Sequence, residues 1–182
     1  MDIQSTVIGR LAGWVAPADE ADWDALYADH LPRVYNFFRY RVGDGPEAED
    51  LTSTTFEKAW RARHRYRRDL AAFSTWLMTI ARNVAIDHWR RRRDHVPLEA
   101  AAGIPAGPGP EDLAASRSDA EQLSRLLARL PEQKRELLAL KYGAGLTNRA
   151  IARLTGLTET NVGTVLHRTI RELRADWQGD GP

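Results

Sequence analysis

From residue 22 to the C-terminal end, the apolar positions of this chain recur at the stride of an α-helix, and no stretch makes a convincing strand. In "ADWDALYADHLPRVYNFFRYRV", Trp23, Leu26, Tyr27, Leu31, Val34, Phe37, Phe38 and Val42 keep that stride, and Pro32 is expected to kink or split the helix. "GDGP", Gly43 to Pro46, is a turn signal, with Pro46 suited to the first position of a second helix, "PEAEDLTSTTFEKAWRARHRY". Acids open this second helix and arginines close it, as the helix dipole favours. A short basic loop, "RYRRDLA", leads into a third helix from about Phe73 to Arg93. On that helix Phe73, Leu77, Ile80, Ala81 and Val84 share one face, which suffices for burial against other helices. Met78, Arg82, Ile86 and Trp89 project roughly 100–180° away, giving a second, partly apolar surface interleaved with arginine that needs a partner of its own.

Residues 95–116, "HVPLEAAAGIPAGPGPEDLAAS", interrupt the pattern. Pro, Gly and Ala fill 13 of these 22 positions, a composition that reads as a flexible linker without a core. Beyond it, Leu123, Leu126, Leu127 and Leu130 return to helical spacing, Pro131 opens another helix through "EQKRELLALKY", and "GAG" ends it. Two further helices, "LTNRAIARL" and "TETNVGTVLHRTIRELRADW", flank a Gly-containing turn, with Thr147 and Thr158 as N-caps. That layout is the layout of a helix-turn-helix, whose second helix enters a major groove. The predicted architecture is all-α: two small helical domains, 22–94 and 117–177, joined by the linker 95–116, with an extension 1–21 and a tail 178–182.

Charge sharpens this outline. The net charge of +1 conceals blocks: residues 1–60 carry 5 basic and 11 acidic side chains, 61–94 carry 10 and 3, 95–133 carry 3 and 6, and 134–182 carry 8 and 5. Two basic blocks set between acidic ones suit two contacts with a polyanion. An arginine run is usually a solvated face, yet a solvated face has no use for Trp89 and Ile86. Single-stranded nucleic acid has, because phosphates seek arginine and unstacked bases seek flat apolar surfaces. Cysteine is absent, which removes disulfides and thiolate metal sites. At 43% hydrophobic and 28% charged residues, with no apolar run near the roughly 18–20 residues of a membrane span and no signal-like start, the chain reads as cytoplasmic.

Catalysis finds little support. Asp44, Glu47, Glu49 and Asp50 match no metal-ligand spacing and are joined by no histidine; an acidic helix start explains them. The five histidines are scattered, and "AGIPAGPGP" lacks the lysine and helix start of a phosphate loop. No catalytic residue, metal or cofactor is expected.

Taken in order, "AEDLTSTTFEKAW", "FSTWLMTIARNVAIDHWRRRR" and "LPEQKRELLALKY" followed by the helix-turn-helix resemble the extracytoplasmic-function (ECF) sigma factors, the smallest group of the sigma-70 class, over about residues 22–93 and 118–176. The resemblance implies an alternative sigma factor that binds core RNA polymerase through the β′ clamp and β flap and then recognises and melts promoter DNA, held both as duplex and as single strand. An anti-sigma protein is a further candidate partner. Glu49, Asp50, Ser53 and Thr54 correspond to the clamp helix. For the minus-ten element, Asn83 is expected to bond a base edge and the loop Tyr66, Arg67, Arg68 and Asp69 to pocket a flipped base. Arg82, Arg90, Arg91, Arg92 and Arg93 are expected to hold phosphates, with Trp89 and Ile86 bordering the bubble. For the minus-thirty-five element, groove contacts fall on Thr160, Asn161, Thr164, His167 and Arg168, and phosphate contacts on Arg149, Arg153 and Arg171.

The chain departs from the family at several positions. Ser53 and Thr54 stand where a Gln-Glu pair is usual, Ala150 where a Glu is common, and Gly163 and Val165 where many relatives present basic residues. Gly163 is expected to let the backbone approach DNA and Val165 to touch a thymine methyl. In the linker, Glu99, Glu111 and Asp112 are candidates for mimicking nucleic acid in the polymerase cleft. The rival readings are a stand-alone helix-turn-helix regulator, which would bind duplex without polymerase, and a polymerase-binding adaptor with weakened promoter reading.

Overall fold

The computed structural model describes residues 23–43, 45–95 and 114–179; the readings placed on the extension 1–21, on Asp44 and on Glu99, Glu111 and Asp112 lie outside the described residues. Among the described residues all regular structure is helical, and no helix is long and apolar enough to cross a membrane.

Helix α1, Trp23–Val42, runs on through Pro32, so the proline does not split it. Pro32 sits on the exposed side, where loss of one N–H is tolerated. Residues on either side of it, from Leu26 to Phe38, are held by packing that outweighs the local preference. Helix α2, Pro46–Arg61, begins at its proline as expected and buries Ala48, Leu51, Thr52, Thr55, Phe56 and Ala59. Its two threonines can be buried because their hydroxyls donate to the carbonyls of Ala48 and Leu51, at 2.7 and 2.8 Å. A 3₁₀ turn, Arg63–Arg65, and a loop lead to α3, Phe73–His95. Helix α3 buries Phe73, Leu77, Met78, Ala81, Val84 and Ala85. Met78 therefore belongs to the core and not to the second surface, because helices meet α3 over a wider arc than a single stripe.

In the second half, α4 (Ala114–Arg129), α5 (Glu132–Leu138), a single π turn (Ala139–Gly143), α6 (Asn148–Thr155) and α7 (Glu159–Gly179) gather around Leu126, Leu137, Leu138, Leu140, Ile151, Val162 and Leu166. Both predicted caps form. Thr147 Oγ1 accepts from the Ala150 amide and Thr158 Oγ1 from the Asn161 amide, each at 3.2 Å. Between them Gly156 ends α6 in the left-handed region, φ 75°, and makes the helix-turn-helix bend.

The two halves are not apart. Helix α1, which lies on α2 and α3, also receives the π turn on its other side, and one continuous apolar cluster runs from Val34 and Phe37 through Leu77 to Leu140 and Leu173. A Cβ on Gly143 would lie 2.9 Å from the backbone carbon and oxygen of Asn36 and 3.0 Å from Phe37 Cα, so only glycine lets this turn seat on α1.

Candidate nucleic-acid interface

Helix α7 divides cleanly. Val162, Leu166, Thr169 and Leu173 face inward, with the Thr169 hydroxyl satisfied by the Val165 carbonyl at 2.8 Å. Thr160, Asn161, Thr164, His167, Arg168 and Arg171 are all exposed, and their three- and four-residue spacing puts them along one face. Arg149 and Arg153 of α6 are exposed as well and line, with Gly156, Leu157 and Glu159, an open depression beside the start of α7. Val165 and Gly163, which the sequence offered to the groove, are half-buried. Three residues on from Val162, Val165 shares its inward side and packs against the core, while Gly163 faces the Asn148 side chain, 3.5 Å from where a Cβ would lie.

Helix α3 offers a more divided surface. Asn83 is exposed, and Ile86 is 50% exposed. Arg90 is paired with Asp87 at 3.2 Å and Arg92 with Glu47 at 3.1 Å; Arg91 is exposed. Arg93 lies within α3, but its side chain is outside the described residues. The loop before the helix stands on an aromatic platform: the Tyr66 ring meets Phe73 edge-on at 5.4 Å and Trp76 tilted at 5.2 Å, and its hydroxyl donates to the Ala71 carbonyl at 3.1 Å. Above the platform Arg67 grips Asp69 with two hydrogen bonds, 2.9 and 2.8 Å, which hold the aspartate carboxyl below its ordinary range. Arg68 and Leu70 are exposed, Leu70 at 71%. On α2, Glu49, Asp50 and Ser53 are exposed and Thr54 half-buried, forming a polar face opposite Leu51 and Thr55.

Two surfaces, a polar and basic one on a helix-turn-helix and one with basic and apolar groups on a helix with an adjoining loop, are thus carried by one chain. The sigma-70 region 2 family model matches residues 26–95, and the sigma-70 region 4 model matches residues 120–173. The ECF sigma factor SigL of Mycobacterium tuberculosis is 30% identical over 173 residues, covering 94% of this chain and 97% of that protein. The chain belongs to the ECF sigma factors of the sigma-70 family. RpoE of Cereibacter sphaeroides is 31% identical over 150 residues, 82% of this chain and 81% of its own. BldN of Streptomyces coelicolor is 33% identical over 162 residues, 87% of this chain, and the chain spans 61% of BldN's length. Among solved structures, CnrH in complex with the cytosolic domain of CnrY superposes with a TM-score of 0.69 over 94% of this chain and 97% of that one, at 23% identity. RpoE of Bartonella quintana, in complex with the anti-sigma factor NepR, gives 0.67 over 88% and 99%, at 24% identity. The structural likenesses show the fold.

Between regions 2 and 4 the structure brings together residues that the sequence did not single out. Arg41, 5% exposed, sits between Glu132 and Glu136 of region 4, bonding both carboxylates, and its guanidinium lies 4.4 Å from the Trp89 ring centre. Arg82 donates to Glu136 at 2.9 Å through Nε and to the Leu154 carbonyl in the helix-turn-helix. Arg135 returns a hydrogen bond to the Arg41 carbonyl at 3.3 Å. Burial alone drives the Glu136 carboxyl up. The hydrogen bond from Arg82 and the charges of Arg41 and Arg82 outweigh that effect and hold it below the ordinary glutamate value. Burial likewise draws Arg41 down, opposed by the two glutamates. One signal was available in the sequence. Arg41 continues the stripe of Val34, Phe37 and Phe38 at helical spacing, so a cation on a buried face demanded acids from elsewhere in the chain. The partner that the second surface of α3 required is, for Arg82 and Trp89, this set of residues.

Proposed function

We propose that the chain acts as an alternative sigma factor in the cytoplasm, docking on core RNA polymerase and starting transcription at promoters of particular sequence. The observation that carries this reading is the exposed face of α7, where Thr160, Asn161, Thr164, His167 and Arg168 stand together with Arg149, Arg153 and Arg171 around them. Side chains of this kind can bond base edges in a major groove while the arginines engage phosphates, which orients the helix on the minus-thirty-five element. Region 2 supplies the second task. Asn83 would bond an exposed base edge, Ile86 would lie against the edge of the bubble, and Arg90, Arg91, Arg92 and Arg93 would hold the strand. The Tyr66–Asp69 loop would receive a base turned out of the stack, with Arg67 and Asp69 exchanging their mutual bonds for contacts to it. Arg82 and Trp89 would join once released from Glu136 and Arg41. Glu49, Asp50, Ser53 and Thr54 would meet the β′ clamp, and region 4 the β flap. An anti-sigma protein is a proposed further partner, by analogy with NepR on Bartonella RpoE.

Run-off transcription with core polymerase and selected promoter fragments tests the reading. The expected result is specific initiation that requires both polymerase and this chain, with weak binding of intact duplex by the chain alone. Tight, sequence-specific duplex binding by the free chain, without initiation, would replace the sigma reading with that of a stand-alone regulator.

A further inference from the structure

We propose that the end of α2 and the 3₁₀ turn after it form a second single-strand site, where Trp60 and Arg63 stack the promoter base directly downstream of the flipped one and Arg65 holds its phosphate. The proposal rests on the sigma reading for the strand, and on the side chains of this turn for the site.

The first argument is the stack. Trp60 is 43% exposed, yet its ring is held on two sides. Trp23 meets it edge-on at 5.2 Å, and the Arg63 guanidinium lies over it, 3.8 Å from the ring centre, while Nη1 donates to the Trp60 carbonyl at 2.9 Å. Arg63 is half-buried, so ring and guanidinium present one preformed platform. Unstacked bases settle on aromatic rings and on guanidinium planes alike. A platform already fixed loses little further freedom when a base is laid on it.

The second argument is the path. Ile86 is assigned to the edge of the bubble, Asn83 to a base nearer the start of α3, and the Tyr66–Asp69 loop, just before that start, to the flipped base. The open strand therefore runs along α3 from its end toward its beginning, and that direction leads from the minus-ten element toward the start site. Trp60 lies at the next step. An unbroken aromatic series joins it to the loop: Trp60 to Trp23 at 5.2 Å, Trp23 to Phe73 at 5.8 Å and Phe73 to Tyr66 at 5.4 Å. The turn Arg63–Arg65 directly precedes Tyr66 in the chain.

The third argument is charge without a partner. Around the platform Arg61 is paired with Glu57 at 2.6 Å and Arg67 with Asp69 at 2.8 Å. His64 and Arg65 are exposed, and neither has a side-chain partner among the described residues. The helix dipole explains cations in the last turn of α2, but it leaves the exposed Trp60 without a reason. A phosphate at the arginine and a base on the ring account for both.

Open-complex lifetime, measured with core polymerase on an intact promoter and on one with an abasic site directly downstream of the flipped base, tests the proposal on the wild type, Arg63→Ala and Trp60→Leu. On the intact promoter each variant is expected to shorten the lifetime about tenfold, the order of one stacked base. On the abasic promoter the wild type is expected to lose the same factor and the variants nothing more, a coupling that a change in folding would not produce. Arg65→Ala is expected to flatten the logarithmic salt dependence by about one unit on both promoters. Circular dichroism checks that each variant keeps its helices, and Arg63→Ala, in a surface turn, serves if Trp60→Leu does not fold. Losses from base and side chain that simply add would overturn the proposal, as would an unchanged salt slope in Arg65→Ala. Weaker assembly of the variants with core polymerase in the absence of DNA would also overturn it, by giving the patch to the polymerase. Should the wild type open no promoter, the sigma reading falls and this site with it; opening by the wild type with additive losses removes the site alone.

Discussion

Helices α3 and α7 were read from the sequence as the two DNA-facing helices, and the structure presents them differently. On α7, Thr160, Asn161, Thr164, His167, Arg168 and Arg171 are all exposed, in a file set by the helix period alone. On α3 the proposed contacts divide: Asn83 and Ile86 face outward, while Arg82 and Trp89 are engaged with residues from α1, α5 and α6. The contrast teaches that a surface opposite a helix's own buried stripe can be read from its periodicity. A surface on which another part of the chain comes to rest cannot, because the contact between Arg82 and Leu154 joins residues 72 positions apart.

The contrast can be broken most forcefully at Arg41. Arg41→Ala removes the cation that lies between Trp89 and the two glutamates, and is expected to lower stability by about 3 kcal/mol, the range for breaking a buried ion pair. Denaturant unfolding checks this, and a loss under about 0.5 kcal/mol, as at an ordinary surface position, would mean that the ion pairs at the joint are only loosely formed. Next comes Val165→Arg, which probes whether the inward side of α7 ends where the structure puts it. Forcing a longer, charged side chain against the core is expected to cost about 2 kcal/mol and to add no preference for guanine. Enhanced promoter selection with unchanged melting would return position 165 to the groove.

A smaller effect separates the two kinds of residue within α3. Asn83→Ala is expected to leave stability within about 0.5 kcal/mol yet to reduce initiation on intact duplex roughly tenfold, in keeping with a base-edge contact of about 1–3 kcal/mol. A template with a pre-melted bubble is expected to recover part of that loss, and equal defects on both templates would remove Asn83 from strand opening. Smallest is Arg149→Ala beside α7. It is expected to weaken binding to all sequences alike and to flatten the logarithmic salt dependence of holoenzyme binding by about one unit, whereas a changed sequence preference would make Arg149 a base reader.

Much of the fold was legible because it follows from local rules. Thr147 and Thr158 could be recognised as caps from their place before an apolar-periodic run, and Pro46 as a helix start from its missing N–H. The groove-facing residues of α7, taken from the resemblance, fall opposite Val162, Leu166 and Thr169, which the structure buries. Where local rules met long-range packing, the latter prevailed. Pro32 lies inside a continuous helix, Met78 is buried beyond the stripe that its own helix predicts, and Gly163 lies beside the Asn148 side chain of α6. Gly143 looked like an ordinary helix terminator. Its need for glycine arises from the backbone of residues more than a hundred positions earlier, and nothing within "KYGAGL" can express that. Glu132 and Glu136 likewise read as the polar side of an ordinary amphipathic helix until Arg41 and Arg82 are brought to them.

The unbroken apolar cluster running from Val34 to Leu173 has a calorimetric meaning. Because one apolar cluster spans both halves, the chain is expected to melt as a single cooperative unit, with van 't Hoff and calorimetric enthalpies in agreement. Parting the halves bares apolar surface on both sides of the joint and raises the heat capacity before either half unfolds.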